Sequence, residues 1–237
     1  MQELLLPENR ADVGGRAGLS TPHGTRRQIP TRHRGKAIIS SIRCPVDRCL
    51  SLYMYGDWKS DDQLPDKREE IAGLFPSYPA LTVDEFIRYM HRYYSGSVQV
   101  AGESFELGPQ SADFLSFFSL CSDSGSRLFN FETWRELELT LNEVTFLDSK
   151  DINRQLFSTL MRVGYNPRDI DFVLSMKPVN ESRAAGPSPA LNEESRRKIE
   201  ASEWLLQAWF QKATQHIAVD LGEVAAANRT QRFSKRH

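Results

Sequence analysis

Cysteine is scarce in this 237-residue chain: Cys44, Cys49 and Cys121 are all it has. Three cysteines without CxxC spacing exclude a disulfide framework and offer no metal-ligand pattern, so no metal is expected. They read as small buried hydrophobes. Charge of one sign is also lacking, since 30 Lys and Arg against 31 Asp and Glu leave a formal net charge of −1. Neither nucleic acid nor an anionic membrane surface is therefore expected as a partner. No apolar run approaches the roughly 20 residues of a membrane span. Leu4, Leu5 and Leu6 run straight into Pro7, Glu8 and Asn9, which is not a signal peptide. A cytoplasmic protein is the expectation. Internal repeats and low-complexity tracts are missing as well.

What is present suits one domain. A 40% hydrophobic content is enough for a core, and 26% charged residues is ordinary for a globular chain. Residues 1–35, rich in Gly, Pro, Arg and Thr without a period, read as an irregular N-terminal segment. Residues 36–215 carry the periodic pattern of a domain, and 216–237 read as a frayed tail. Within the domain, Ala37 to Ile42 is a β-branched run of the kind found in a buried parallel strand. Pro45 then opens a helix with Val46, Cys49, Leu50 and Tyr53 at helical spacing.

Further on, Thr82 with Glu85 forms a capping box ahead of an amphipathic helix. Residues 95–109 read as irregular, 112–120 as an apolar helix, and Val144 to Leu147 as a second buried strand. A helix ending at Gly164 follows, and Asn192 caps a last helix bearing Trp204 and Trp209. Strands alternating with helices point to an α/β fold, with many helices for few strands.

The chemistry gathers at the first strand–turn–helix. Arg43 stands at the carboxyl end of the strand, where α/β folds bind ligands, and a guanidinium grips phosphate with paired hydrogen bonds. Ser51 lies on the following helix, one turn beyond Asp47, and its hydroxyl can donate to the same oxygens. The helix N-terminus adds donors and positive potential. The plain alternative pairs Arg43 with a carboxylate such as Asp47 and leaves Ser51 facing solvent.

Residues 37–53, Ala-Ile-Ile-Ser-Ser-Ile-Arg-Cys-Pro-Val-Asp-Arg-Cys-Leu-Ser-Leu-Tyr, resemble the 3′-phosphate signature of the PAPS-dependent sulfotransferase family. Phe146-Leu147-Asp148, Gly164-Tyr165 and Pro178 to Ser182 are similar to the later part of bacterial-type sulfotransferase domains. The resemblance spans roughly residues 19–210, though only the 37–53 motif is specific, and Cys44 departs from the usual Asp or Asn. It implies a P-loop-like, three-layer α/β domain binding PAPS as donor co-substrate through Arg43 and Ser51. It also implies transfer of a sulfuryl group to a hydroxyl or amine on a small-molecule or carbohydrate acceptor. Transfer is in line, so the protein's part is positioning, charge stabilisation and removal of the acceptor proton. By the same resemblance His23 is the candidate base; Arg26 and Arg27 either hold sulfate or phosphate oxygens or lie on a wet surface, and the surface reading is preferred.

One family element has no counterpart. The loop Pro-Lys-x-Gly-x-Thr/Ser that binds the 5′-phosphosulfate is not found in residues 1–36, where Gly14 to Gly18 lacks both a lysine and a preceding strand. A parallel sheet missing its first strand is the corresponding expectation. The alternative function is a non-catalytic nucleotide-binding or interaction domain. In a third reading the last helix, with Trp204 and Trp209, is a partner-binding surface.

Overall fold

The structure, a computed structural model, describes residues 26–33, 35–59, 64–118, 127–177, 189–215 and 221–226. Strand β1 (Ile38–Ile42) leads into helix α1 (Pro45–Tyr55), followed by α2 (Arg68–Leu74) and α3 (Val83–Tyr94). A hairpin of β2 (Gly96–Val100) and β3 (Glu103–Leu107) precedes α4 (Pro109–Phe118), β4 (Leu128–Phe131), α5 (Trp134–Asn142) and β5 (Val144–Asp148). Then come α6 (Ile152–Arg162), α7 (Pro167–Ile170), α8 (Phe172–Ser175), α9 (Glu193–Ser202) and α10 (Trp204–Gln215). The chain is α/β, with many helices around short strands.

The strands form two sheets among the described residues. β1 pairs in parallel with β5, from Ile38 against Val144 to Ile42 against Asp148. Both strands were expected from the two apolar runs, though not their pairing, and β1 is less covered than a central strand: only Ile42 is buried and Ser41 is exposed. No further strand flanks the pair among the described residues. β5 carries the apolar weight instead, burying Val144, Phe146 and Leu147 and packing against α6 and α10.

The second sheet, in the order β3-β2-β4, corrects the reading of 95–109 as irregular. Val98, Val100, Phe105, Leu107, Phe129 and Phe131 alternate inward, the period of a strand with one buried face. Ala101 (φ 52°) and Gly102 (φ 79°) both take positive φ, as a two-residue hairpin turn demands. Alanine in place of the usual Asn or Asp hides that turn in the sequence.

Two buried clusters hold the molecule. One joins the second sheet and β5 to α4, α10 and the helical residues 221–226, where Leu221 and Ala225 are fully buried. The packed core therefore includes residues assigned to the frayed tail. The other cluster packs α1 through Val46 and Cys49 onto α2, α3, Trp58 and Ile199. The capping box of α3 is formed, with Glu85 N donating to Thr82 and Glu85 Oε2 accepting from Thr82 N. Asn192 caps α9 by accepting from Ser195 N at 2.7 Å. The last helix is broken in two at Glu203, and Trp204 and Trp209 lie in the core at 4% and 3% exposure, so they form no partner surface.

Candidate functional site

Parallel pairing brings the carboxyl ends of β1 and β5 to one edge. Ser149 N donates to Ile42 O at 2.9 Å, carrying the ladder one step past the strand ends. Arg43 on one side and residues 149–150 on the other are thus neighbours. The β5 loop is held by its own bonds: Asp148 N donates to Gln155 Oε1 at 2.8 Å, and Lys150 N donates to Asp148 Oδ1 at 2.9 Å.

Arg43 is half-buried, and its guanidinium has no hydrogen-bonding or ionic partner among the described residues. Its nearest acidic candidate, Asp47 in the first turn of α1, is taken by Lys150, whose Nζ lies 2.6 Å from Asp47 Oδ2. The Asp47 carboxylate and its hydrogen bond hold the Lys150 ammonium above its ordinary value. The plain pairing of Arg43 with Asp47 is therefore not the one adopted. Asp151, the next acid, pairs with Arg154 at 3.6 Å.

Helix α1 starts without a side-chain cap. Cys44 occupies the N-cap position and makes no capping bond, Pro45 has no N–H, and Arg48 N donates to Cys44 O at 2.9 Å. The N–H groups of Val46 and Asp47 remain without intrahelical acceptors, as at any helix start. Ser51 stands one turn beyond Asp47 on the same face, half-buried, with its hydroxyl uncommitted among the described residues. The arrangement is an edge with an unpaired guanidinium, a free hydroxyl and open backbone donors, the donor set an oxyanion needs.

The other expected residues fare differently. His23 lies outside the described residues. Arg26 is drawn into the fold, pairing with Glu143 and donating to Thr140 O at 2.9 Å with its side chain only 11% exposed, so it is not a free anion ligand. Beneath α1, Tyr53, Trp58, Tyr78, Phe86 and Tyr89 pack ring against ring as core.

Sequence reasoning missed the support beneath this edge. Gln110, at the start of α4, donates from Nε2 to Pro45 O at 3.0 Å, fixing the turn that carries Arg43. The backbone of the same residue donates to Glu203 Oε1 at 3.1 Å, and Ser111 N donates to Glu203 Oε2 at 2.7 Å. Glu203, 1% exposed, is thus the N-cap that α4 lacks locally. Gly108 makes room for it, because a Cβ there would stand 2.4 Å from Glu203 Oε1. The missing local cap at Gly108-Pro109 was the one clue in the sequence.

Burial pushes Glu203 up to about 7, against the pull of its two N–H donors and the charge of Arg48. Burial also pushes the Cys49 thiol up to about 12, which leaves it an inert thiol. A small apolar recess beside Cys49, Phe86, Met90 and Glu203 opens off the face of α1 opposite Asp47 and Ser51 and contains no Lys or Arg. No protein-family model, no curated protein and no solved structure matches the chain.

Proposed function

We propose that the chain is a sulfotransferase-like domain that binds PAPS, or its product adenosine 3′,5′-bisphosphate (PAP), by the 3′-phosphate. The observation that carries this reading is the half-buried, unpartnered guanidinium of Arg43 at the carboxyl end of a parallel strand. A cation with no counter-ion in the chain is free to take one from a ligand. Ser51 and the uncapped start of α1 supply the remaining donors. In the transfer reaction the anchored nucleotide presents its sulfuryl group to a hydroxyl or amine, and His23 takes the acceptor proton. In the second reading the chain keeps only this 3′ half of the site and binds the nucleotide without turnover.

Thermal unfolding with PAP tests the binding step. A ligand that binds only the folded chain adds about 2.7 kcal/mol at a hundredfold excess over Kd, which moves the midpoint by roughly 5–10 °C at this size. An unmoved midpoint at saturating PAP removes the donor-site reading, and an equal shift in Arg43→Ala removes Arg43 from it. Sulfuryl transfer from PAPS to a panel of alcohols and amines then separates the two readings. Loss of transfer in His23→Ala with PAP binding intact is the expected result for a base, and normal turnover excludes it from that role.

A further inference from the structure

Resting on the 3′-phosphate site proposed above, we infer that Lys150 is a second cationic ligand of that phosphate, and that Asp47 occupies it until the phosphate arrives. The strand ladder makes the two cations neighbours: Ile42 pairs with Asp148, and Ser149 N is bonded to Ile42 O. Arg43 and Lys150 are thus each a step or two past the ends of paired strands. The Lys150 side chain reaches across the turn to the first turn of α1, where its Nζ meets Asp47 Oδ2 at 2.6 Å.

Asp47 itself lies one helical turn before Ser51, on the face of α1 that carries the other proposed ligand. Asp47 Oδ2 therefore holds the ammonium that a phosphate bound by Arg43 and Ser51 would have to draw away. The loop that bears Lys150 is built rather than loose, because the Asp148 side chain accepts from Lys150 N and Gln155 accepts from Asp148 N.

The charges decide the ligand class. Asp47 has Lys150, Asp151 has Arg154, and Asp148 is turned onto its own loop, which leaves Arg43 as the uncommitted charge. A monoanion would neutralise Arg43 alone. A phosphomonoester dianion can satisfy Arg43 and Lys150 together, outcompeting a single carboxylate for the ammonium. The Lys150 side chain is 67% exposed, so its ammonium can change partner with little desolvation, while Asp47 Oδ2 is buried and would be left without a cation. The site thus selects the terminal 3′-phosphate over phosphodiesters and sulfate esters, which carry a single charge.

Calorimetric titration of the full chain with PAP and with adenosine 5′-phosphate, which lacks the 3′-phosphate, tests this. Lys150→Met should weaken PAP about tenfold or more, with no change for adenosine 5′-phosphate. Asp47→Asn should tighten PAP several-fold when Lys150 is present and have no effect in the Lys150→Met background. Equal PAP affinity in Lys150→Met and the parent chain, with Arg43→Ala still defective, overturns the inference while the donor site stands. Additive effects of Asp47→Asn and Lys150→Met also overturn it, since they indicate mere through-space charge. A parent chain that binds no PAP overturns the donor site and this inference together. Melting curves of every variant confirm that each is folded.

Discussion

Two regions of the molecule each carry an ionisable side chain at a helix start, and they partner it in opposite ways. At the joint of α4, α9 and α10, Glu203 is fully buried, accepts from two backbone N–H groups and faces Arg48. At the edge of β1 and β5, Arg43 is half-buried with no partner among the described residues, although Asp47 is four residues away. The joint has internal partners for its charge and needs no ligand. The edge has spent its carboxylates on Lys150 and Arg154 and leaves one cation over. The buried Glu203 is surrounded by its own partners, whereas the half-buried Arg43 has none among the described residues.

The largest effects should come from breaking the joint. Glu203→Ala leaves the N–H groups of Gln110 and Ser111 unpaired in a void, and should lower unfolding free energy by roughly 3–5 kcal/mol. Urea denaturation measures this, and a loss under 1 kcal/mol would put Glu203 on a par with a surface residue. Gly108→Ala should approach that loss, because the new methyl meets a carboxylate that cannot move away.

The next effect is pH dependence. With Glu203 raised from the usual carboxylate value to about 7, the folded chain keeps a proton that the unfolded chain has released between about pH 4.5 and pH 7. Stability from this group is then full below that window and falls as pH rises through it, by an amount on the order of a few kcal/mol. Comparing the parent with Glu203→Gln across pH 5 to 8 isolates the slope, and identical slopes would refute the assignment.

The edge should respond in the reverse sense. Arg43→Ala removes no internal partner, so its stability should change by no more than about 0.5 kcal/mol while the PAP-induced shift disappears. A large destabilisation would make Arg43 a structural residue and dissolve the contrast with Glu203. Asp47→Asn, which breaks only a partly exposed pair, should cost about 0–1 kcal/mol without ligand.

The parts of this fold that were legible are those written in local chemistry. The two apolar runs became β1 and β5, and Thr82 with Glu85, Asn192 and Gly164 marked helix ends where they occur. The hairpin of β2 and β3 was hidden by its Ala-Gly turn, although Val98, Val100, Phe105 and Leu107 alternate plainly once the turn is known. The placing of Arg43 and Ser51 on one strand–turn–helix was legible because strand, turn and helix are contiguous there. Lys150, Gln110 and Glu203 were not, because each reaches the edge or its support across more than 60 residues of chain. Trp204 was misread for the same reason: a helical stripe does not say which core it faces.

The carboxamide of Gln110 has an optical consequence. It ties the Arg43 turn to the same helix start that grips Glu203, and the next residue is Trp204, whose indole N–H donates to Glu106 O at 2.9 Å beside Phe105 and Trp134. Gln110 thus offers a path of hydrogen bonds from Pro45 toward a tryptophan that is 4% exposed. Tryptophan emission should therefore report anion capture without any added label, and Gln110→Ala should silence that signal while leaving calorimetric binding measurable. An emission change that survives Gln110→Ala would mean the edge and the joint communicate by another route.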